Sequence, residues 1–110
     1  MTPETIFHKI LRKEIPAIIV HEDEDVLAFK DIHPQAKTHI LFIPKTFVES
    51  VDHAEGEAAA IPGMLILKAQ AFAKEQGITG YKLTFNVGKE GGQEVPYIHL
   101  HFKSDQALRE

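Results

Sequence analysis

The stretch Tyr97-Ile98-His99-Leu100-His101-Phe102-Lys103-Ser104 alternates with a period of two, the pattern of a strand that buries one face. Ile98, Leu100 and Phe102 fall on the side expected to meet a core, and Tyr97, His99 and His101 share the other. Two imidazoles side by side on a sheet suit work on an anionic phosphate. One, neutral, is a nucleophile or base, while the other, protonated, donates to an oxygen. Their proximity resists simultaneous charging and spreads their titrations around neutrality. The pair alone is not specific: seven histidines in 110 residues give a His-x-His by chance about 0.4 times. The same pair also offers two ligands to zinc or copper, with His39 as a third, so a His-x-His metal-binding protein stands as an alternative.

Just upstream lies Asn86-Val87-Gly88-Lys89-Glu90-Gly91-Gly92-Gln93-Glu94-Val95. Glycines let a backbone approach a phosphate closely, and successive N–H groups form an anion-binding concavity. The competing reading is a hairpin loop that uses glycine for positive φ. Loop and histidine pair in one hairpin form a stronger signal than either alone.

Working outward, Ile18–His21, Val26–Lys30, Thr38–Ile43 and Tyr81–Val87 read as further strands, separated by acidic and turn-forming segments. Thr2-Pro3-Glu4 supplies an N-cap, a first-turn proline and an early acid for a helix carrying Ile6, Phe7, Ile10 and Leu11, which Ile15-Pro16 stops. Between Glu55 and Gln76 the period becomes helical through Ile61, Met64, Leu65, Ala69, Phe72 and Ala73, with the regular helix expected to start near Pro62 and Gly77 as its stop. Hairpin-linked strands interrupted by two helices predict an α+β fold with an antiparallel sheet, in one domain spanning residues 1–110.

Composition agrees with a soluble globular chain: 44% apolar and 25% charged residues. The absence of cysteine excludes disulfides and thiolate chemistry and is compatible with a cytoplasmic setting. No apolar run is long enough to span a bilayer and no signal-peptide layout opens the chain, so no membrane partner is expected. A net charge of −4 argues against coating polymeric nucleic acid, yet leaves room for a single nucleotide.

The chain resembles the histidine-triad (HIT) superfamily, and within it the Hint-like branch of purine-nucleotide phosphoramidases. The resemblance runs nearly end to end: Thr5-Ile6-Phe7 with Ile10-Leu11-Arg12-Lys13-Glu14-Ile15-Pro16, then Phe29-Lys30-Asp31-Ile32-His33-Pro34-Gln35-Ala36-Lys37-Thr38-His39, continued by Leu41-Phe42-Ile43-Pro44-Lys45, then Asn86 through His101. It implies a HIT-like fold with an antiparallel sheet of about five strands and two helices, in a homodimer whose sheets join. The implied reaction is hydrolysis of a nucleoside 5′-monophosphate (AMP or GMP) from an amine, as in a phosphoramidate or AMP-lysine, without a cofactor. By resemblance His99 is the nucleophile, giving a nucleotidyl-histidine. His101 bonds the phosphate and the departing or entering group, and His39 orients the nucleophile. Asp31 holds the ribose hydroxyls, Phe7, Ile10, Phe29 and Ile32 line the base pocket, and Asn86 with Gly92, Gln93, Glu94 and Val95 surrounds the phosphate.

Each role has a plainer counterpart. Asp31 also suits a turn cap, Phe7, Ile10, Phe29 and Ile32 suit a core, and His39 suits a satisfied buried imidazole. His8, His21, His33 and His53 read as surface residues. The chain departs from the family motif His-x-His-x-His-apolar-apolar at two positions: Tyr97 stands at the first histidine and Lys103 at one trailing apolar residue. A phenol with a pKa of roughly 10 is no cation near neutrality, so reduced or altered turnover is expected. A nucleotide-binding module with weak or lost catalysis is the alternative.

Overall fold

Thr5 opens the first helix because its hydroxyl accepts the N–H groups of Phe7 and His8, while His8 Nδ1 accepts the N–H of Thr5 at 2.9 Å. This is a capping box with histidine in the usual place of a Glu or Gln. The computed structural model describes residues 4–109. The cap expected at Thr2 and Pro3 lies outside them. Helix α1 covers Ile6–Leu11 and buries Phe7 and Ile10. It ends well before Ile15-Pro16, and Lys13 follows in the left-handed region at φ 62°.

Strands β1 (Ile19–Glu22), β2 (Val26–Lys30) and β3 (Thr38–Pro44) form an antiparallel meander. Helix α2 (Ile61–Gln76) follows, then β4 (Lys82–Phe85) and β5 (Leu100–Ser104). All five strands make one sheet in the order β1-β2-β3-β5-β4, with antiparallel neighbours throughout. Helix α2 begins at Ile61 with Pro62 in its first turn, where a missing N–H costs nothing. It stops at Gly77, whose φ of 69° returns N–H bonds to Ala73 and Lys74. Residues 55–60, expected inside the helical pattern, instead carry a 3₁₀ turn, Gly56–Ala58.

The sheet is buried on both faces at its centre. Val26, Ala28, Ile40, Phe42, Leu100 and Phe102 meet Leu65, Ala69 and Phe72 of α2. The alternate residues Leu27, Phe29, Leu41 and Ile43 meet Phe7 and Ile10 of α1, with Tyr97 among them. Period two therefore splits each strand between two apolar clusters, which is why β2 and β3 read as nearly unbroken apolar runs. Among the described residues no helix is long and apolar enough to cross a membrane.

Two strands are shorter than expected. Phe85 ends β4, and β5 enters the ladder only at Leu100, opposite Phe42 and Phe85. Residues 97–99 keep the alternation but find other partners, the N–H of Tyr97 bonding to Val95 O and that of Ile98 to Val48 O.

Candidate functional site

A cavity of about 630 Å³ opens on the α1 side of the sheet. It gathers Phe7, Ile10, Phe29 and Ile32 with Asp31, His39, His99 and His101, and with Asn86, Gly92, Glu94 and Val95. Phe7, Ile10 and Phe29 are also core residues of the α1-side cluster. Ile32, 78% exposed, is not, and stands free at the rim.

Two of the expected residues do not line the cavity. Gln93 turns back into the glycine loop, where its amide donates to Glu49 O at 2.7 Å and Val95 O at 3.0 Å and its oxygen accepts from the N–H of Gly88. Asn86 braces the same loop by donating to Gly91 O at 2.9 Å. Gly88 and Gly92, at φ 72° and 82°, make the turn that these bonds hold. Tyr97 is fully buried between Phe7, His8 and Phe47, and its hydroxyl donates to Pro44 O at 2.5 Å. Burial alone pushes that phenol up to about 12. Its hydroxyl is a core anchor, not a group aimed at phosphate.

The imidazoles reveal their tautomers through their partners. The carbonyl of Tyr97 can only accept, so His99 Nδ1, 2.8 Å away, carries a proton and donates it. His99 Nε2 is then a bare lone pair. The N–H of Gln35 can only donate, so His39 Nδ1, 3.1 Å away, is an acceptor and the His39 proton sits on Nε2. That Nε2–H donates to His101 Nδ1 at 2.9 Å, which leaves the His101 proton on Nε2. His39 therefore orients His101 and not, as the resemblance implies, the nucleophile position. The Tyr97 carbonyl does that work.

Burial lowers the pKa of all three imidazoles. For His99 the bond to the Tyr97 carbonyl and the charges of Asp31 and Glu94 oppose the shift. His101 falls furthest, to about 4, because burial is reinforced by His99, His39 and Lys103 against the pull of Asp31. At neutral pH the pair is one neutral acceptor beside one neutral donor, with ring centroids 5.0 Å apart. The protonated partner expected from the sequence gives way to a neutral N–H.

Asp31 divides its oxygens. Oδ1 caps the turn by accepting the N–H of His33 at 2.8 Å, and Oδ2 lies 3.4 Å from His39 Nε2. Of the histidines read as surface residues, His33 and His53 are exposed, whereas His8 caps α1 and His21 is half-buried, bonded to Asp23 at 2.8 Å.

Among the described residues, Asp31, His39 and His101 are those whose donor atoms come close enough to hold a metal. Two ligands on a tetrahedral zinc with bonds of about 2.0–2.1 Å sit roughly 3.3–3.4 Å apart. His39 Nε2 and His101 Nδ1 are 2.9 Å apart and share a proton. A metal would have to open that hydrogen bond, so the arrangement as it stands serves proton placement better than coordination.

Comparison with known proteins places this geometry in context. The HIT domain family matches residues 12–106. The chain is 44% identical over 110 residues to the purine nucleoside phosphoramidase of Escherichia coli K12, covering 98% of this chain and 92% of that protein. A HIT family hydrolase from Legionella pneumophila superposes with a TM-score of 0.87 at 39% identity, covering 96% of each chain. A histidine triad protein from Clostridium difficile does so with a TM-score of 0.88 at 36% identity, covering 100% of this chain and 98% of that one.

Proposed function

This chain belongs to the HIT domain family, and from that premise we propose that it is a nucleotide-binding hydrolase cleaving a nucleoside 5′-monophosphate from an amine. The observation that carries the reading is the pair of complementary tautomers, a bare Nε2 on His99 beside an Nε2–H on His101, at the wall of a cavity that also holds Asp31. In this reading His99 Nε2 attacks the α-phosphorus, the P–N bond breaks, and a nucleotidyl-histidine forms. The Nε2–H of His101 bonds the phosphoryl oxygen and passes its proton to the departing nitrogen, which leaves as the free amine. Water then attacks the phosphorus and returns a proton to His101 Nε2, releasing the nucleoside monophosphate and restoring His99. Asp31, an acceptor-only carboxylate, takes the ribose hydroxyls, and Phe7, Ile10, Phe29 and Ile32 take the base.

The name of the E. coli relative supports a purine, AMP or GMP, and a phosphoramidate as the substrate class. A single-domain, cytoplasmic homodimer without polymeric nucleic acid or membrane partners completes the proposal. The dimer has apolar surface available in Ile66 and Leu67 of α2, 41% and 63% exposed.

The test is release of AMP from adenosine phosphoramidate by the purified protein, with a rapid alkaline quench to capture the acid-labile nucleotide on His99. His99→Ala is expected to abolish both turnover and capture. Nucleotide binding without turnover in the unaltered protein would overturn the hydrolase reading, and undiminished turnover in the variant would overturn the nucleophile.

A further inference from the structure

One more side chain shares the imidazole face of β5. Lys103 follows His101 on that face and stands in register with His39 on β3 and Lys82 on β4. Its ammonium donates to Gln35 Oε1 at 2.6 Å. Gln35 lies exposed in the connection between β2 and β3, and its own N–H is the one that meets His39 Nδ1. The chain of bonds is therefore continuous: Lys103 to Gln35, Gln35 to His39 at 3.1 Å, and His39 to His101 at 2.9 Å.

We propose that Lys103 is a positioning residue for His101: by gripping Gln35 it holds the N–H that makes His39 an Nε2–H donor, and so keeps the His101 proton on the nitrogen facing substrate. The inference rests on the hydrolase reading above for its kinetic consequence, but its tautomer consequence stands without it. If Gln35 is released, His39 Nδ1 is free to carry the proton and present Nε2 as an acceptor, with Asp31 Oδ2, 3.4 Å from Nε2, as the one remaining group among the described residues that favours a proton there. His101 then satisfies it with Nδ1–H and turns a bare Nε2 lone pair towards a phosphate oxygen. A donor becomes a repulsive acceptor.

Lys103 also acts through its charge. The groups facing His39 and His101 are Lys30, Asp31 and His33 from β2 and the loop after it, Lys82 from β4, Glu94 from the glycine loop, and His99 and Lys103 from the β5 segment. His8 of α1 turns instead to Phe47 and Tyr97. Lys103 opposes protonation of both imidazoles, and Asp31 favours it. Removing the lysine charge therefore makes both easier to protonate.

The experiment compares Lys103→Met, which keeps the aliphatic stem, with Lys103→Arg, which keeps a cationic donor. Adenosine phosphoramidate kinetics across pH and long-range ¹H–¹⁵N imidazole spectra are read on the full chain. For Lys103→Met, kcat at neutral pH is expected to fall about tenfold, part of the roughly 10²–10⁴ that a positioned acid supplies, with KM nearly unchanged. The acid limb of the rate profile is expected to move to higher pH, and the His101 spectrum to leave the pure Nε2–H pattern. Lys103→Arg is expected to restore all three. Gln35→Ala, which keeps the backbone N–H but removes the grip, should reproduce the kcat and tautomer effects should Lys103→Met fold poorly. Unchanged tautomers and pH profile in a folded Lys103→Met protein would overturn the proposal. So would a loss confined to KM, which would make Lys103 a substrate contact. A tautomer change in a wild-type background that never turns over would refute the hydrolase reading while upholding the role of Lys103.

Discussion

His99 and His101 lie two residues apart, yet they are held by different parts of the molecule. His99 is fixed by its own stretch of chain, through the carbonyl of Tyr97, and by T-shaped packing with Phe7 at a ring-centroid distance of 5.1 Å. His101 is fixed from afar, by His39 on β3, and through it by Gln35 and the far end of β5. His99, the proposed nucleophile, thus depends on backbone that any residue at position 97 would supply. The donor position depends on three side chains and a loop. The first arrangement tolerates substitution, and the second can be tuned or broken from a distance.

The strongest way to break the contrast is at His39. Its side chain is nearly fully buried and touches His101 but makes no hydrogen bond to His99 among the described residues. His39→Ala is expected to lower kcat by about 10²-fold, or roughly 2.7 kcal/mol of transition-state stabilisation, with nucleotidyl-enzyme still forming slowly. His39→Gln, with an amide donor near the position of Nε2, should recover part of the loss. Rapid-quench kinetics check both. A loss as complete as that of His99→Ala would show that the two arms are one.

Next in size is Tyr97, which probes the local arm. The resemblance predicts impaired turnover because a phenol stands where the family has a histidine, but the hydroxyl faces Pro44 O and lies outside the cavity lining. Tyr97→Phe leaves the carbonyl that orients His99 in place. It is expected to cost about 1–2 kcal/mol of stability, the price of an unpaired buried acceptor, while kcat stays within about threefold. Denaturant unfolding and steady-state kinetics separate the two. A large fall in kcat at unchanged stability would return Tyr97 to the chemistry.

The same contrast explains what the sequence could reveal. Period two at positions 97–104 placed Ile98, Leu100 and Phe102 in the core and the imidazoles opposite, because alternation is a property of extended backbone, whether or not the ladder is formed. Asp31, Asn86 and the glycine loop were found as ordered motifs. The links that run from Lys103 to Gln35 and from His39 to His101 span 68 and 62 residues, and no local periodicity encodes them. Lys103 was visible only as a charge in an apolar slot, and its meaning needed the register of β3 against β5. The cap made by His8 was missed for a related reason: a histidine can stand in for glutamate only when its ring is turned to the preceding N–H.

The smallest predicted effect concerns acid stability, and it tests whether both arms keep their imidazoles neutral. The folded-state pKa values of His39, His99 and His101 all lie below the ordinary value of 6.5, so below that pH the unfolded chain binds more protons than the folded one. Stability is therefore fully present above 6.5 and is lost as pH falls, the part owed to His101 levelling off only near 4. With His101 shifted from 6.5 to about 4, that one residue should remove about 1 kcal/mol between pH 7 and pH 5.5. The window lies above the usual carboxylate range, which separates it from ordinary acid unfolding. In His101→Gln the slope across this window should become shallower without vanishing, since His99 and His39 still resist charging. An unchanged slope in that variant would mean that His101 binds protons equally in the folded and unfolded chain, so that burial beside His99, His39 and Lys103 does not hold it neutral.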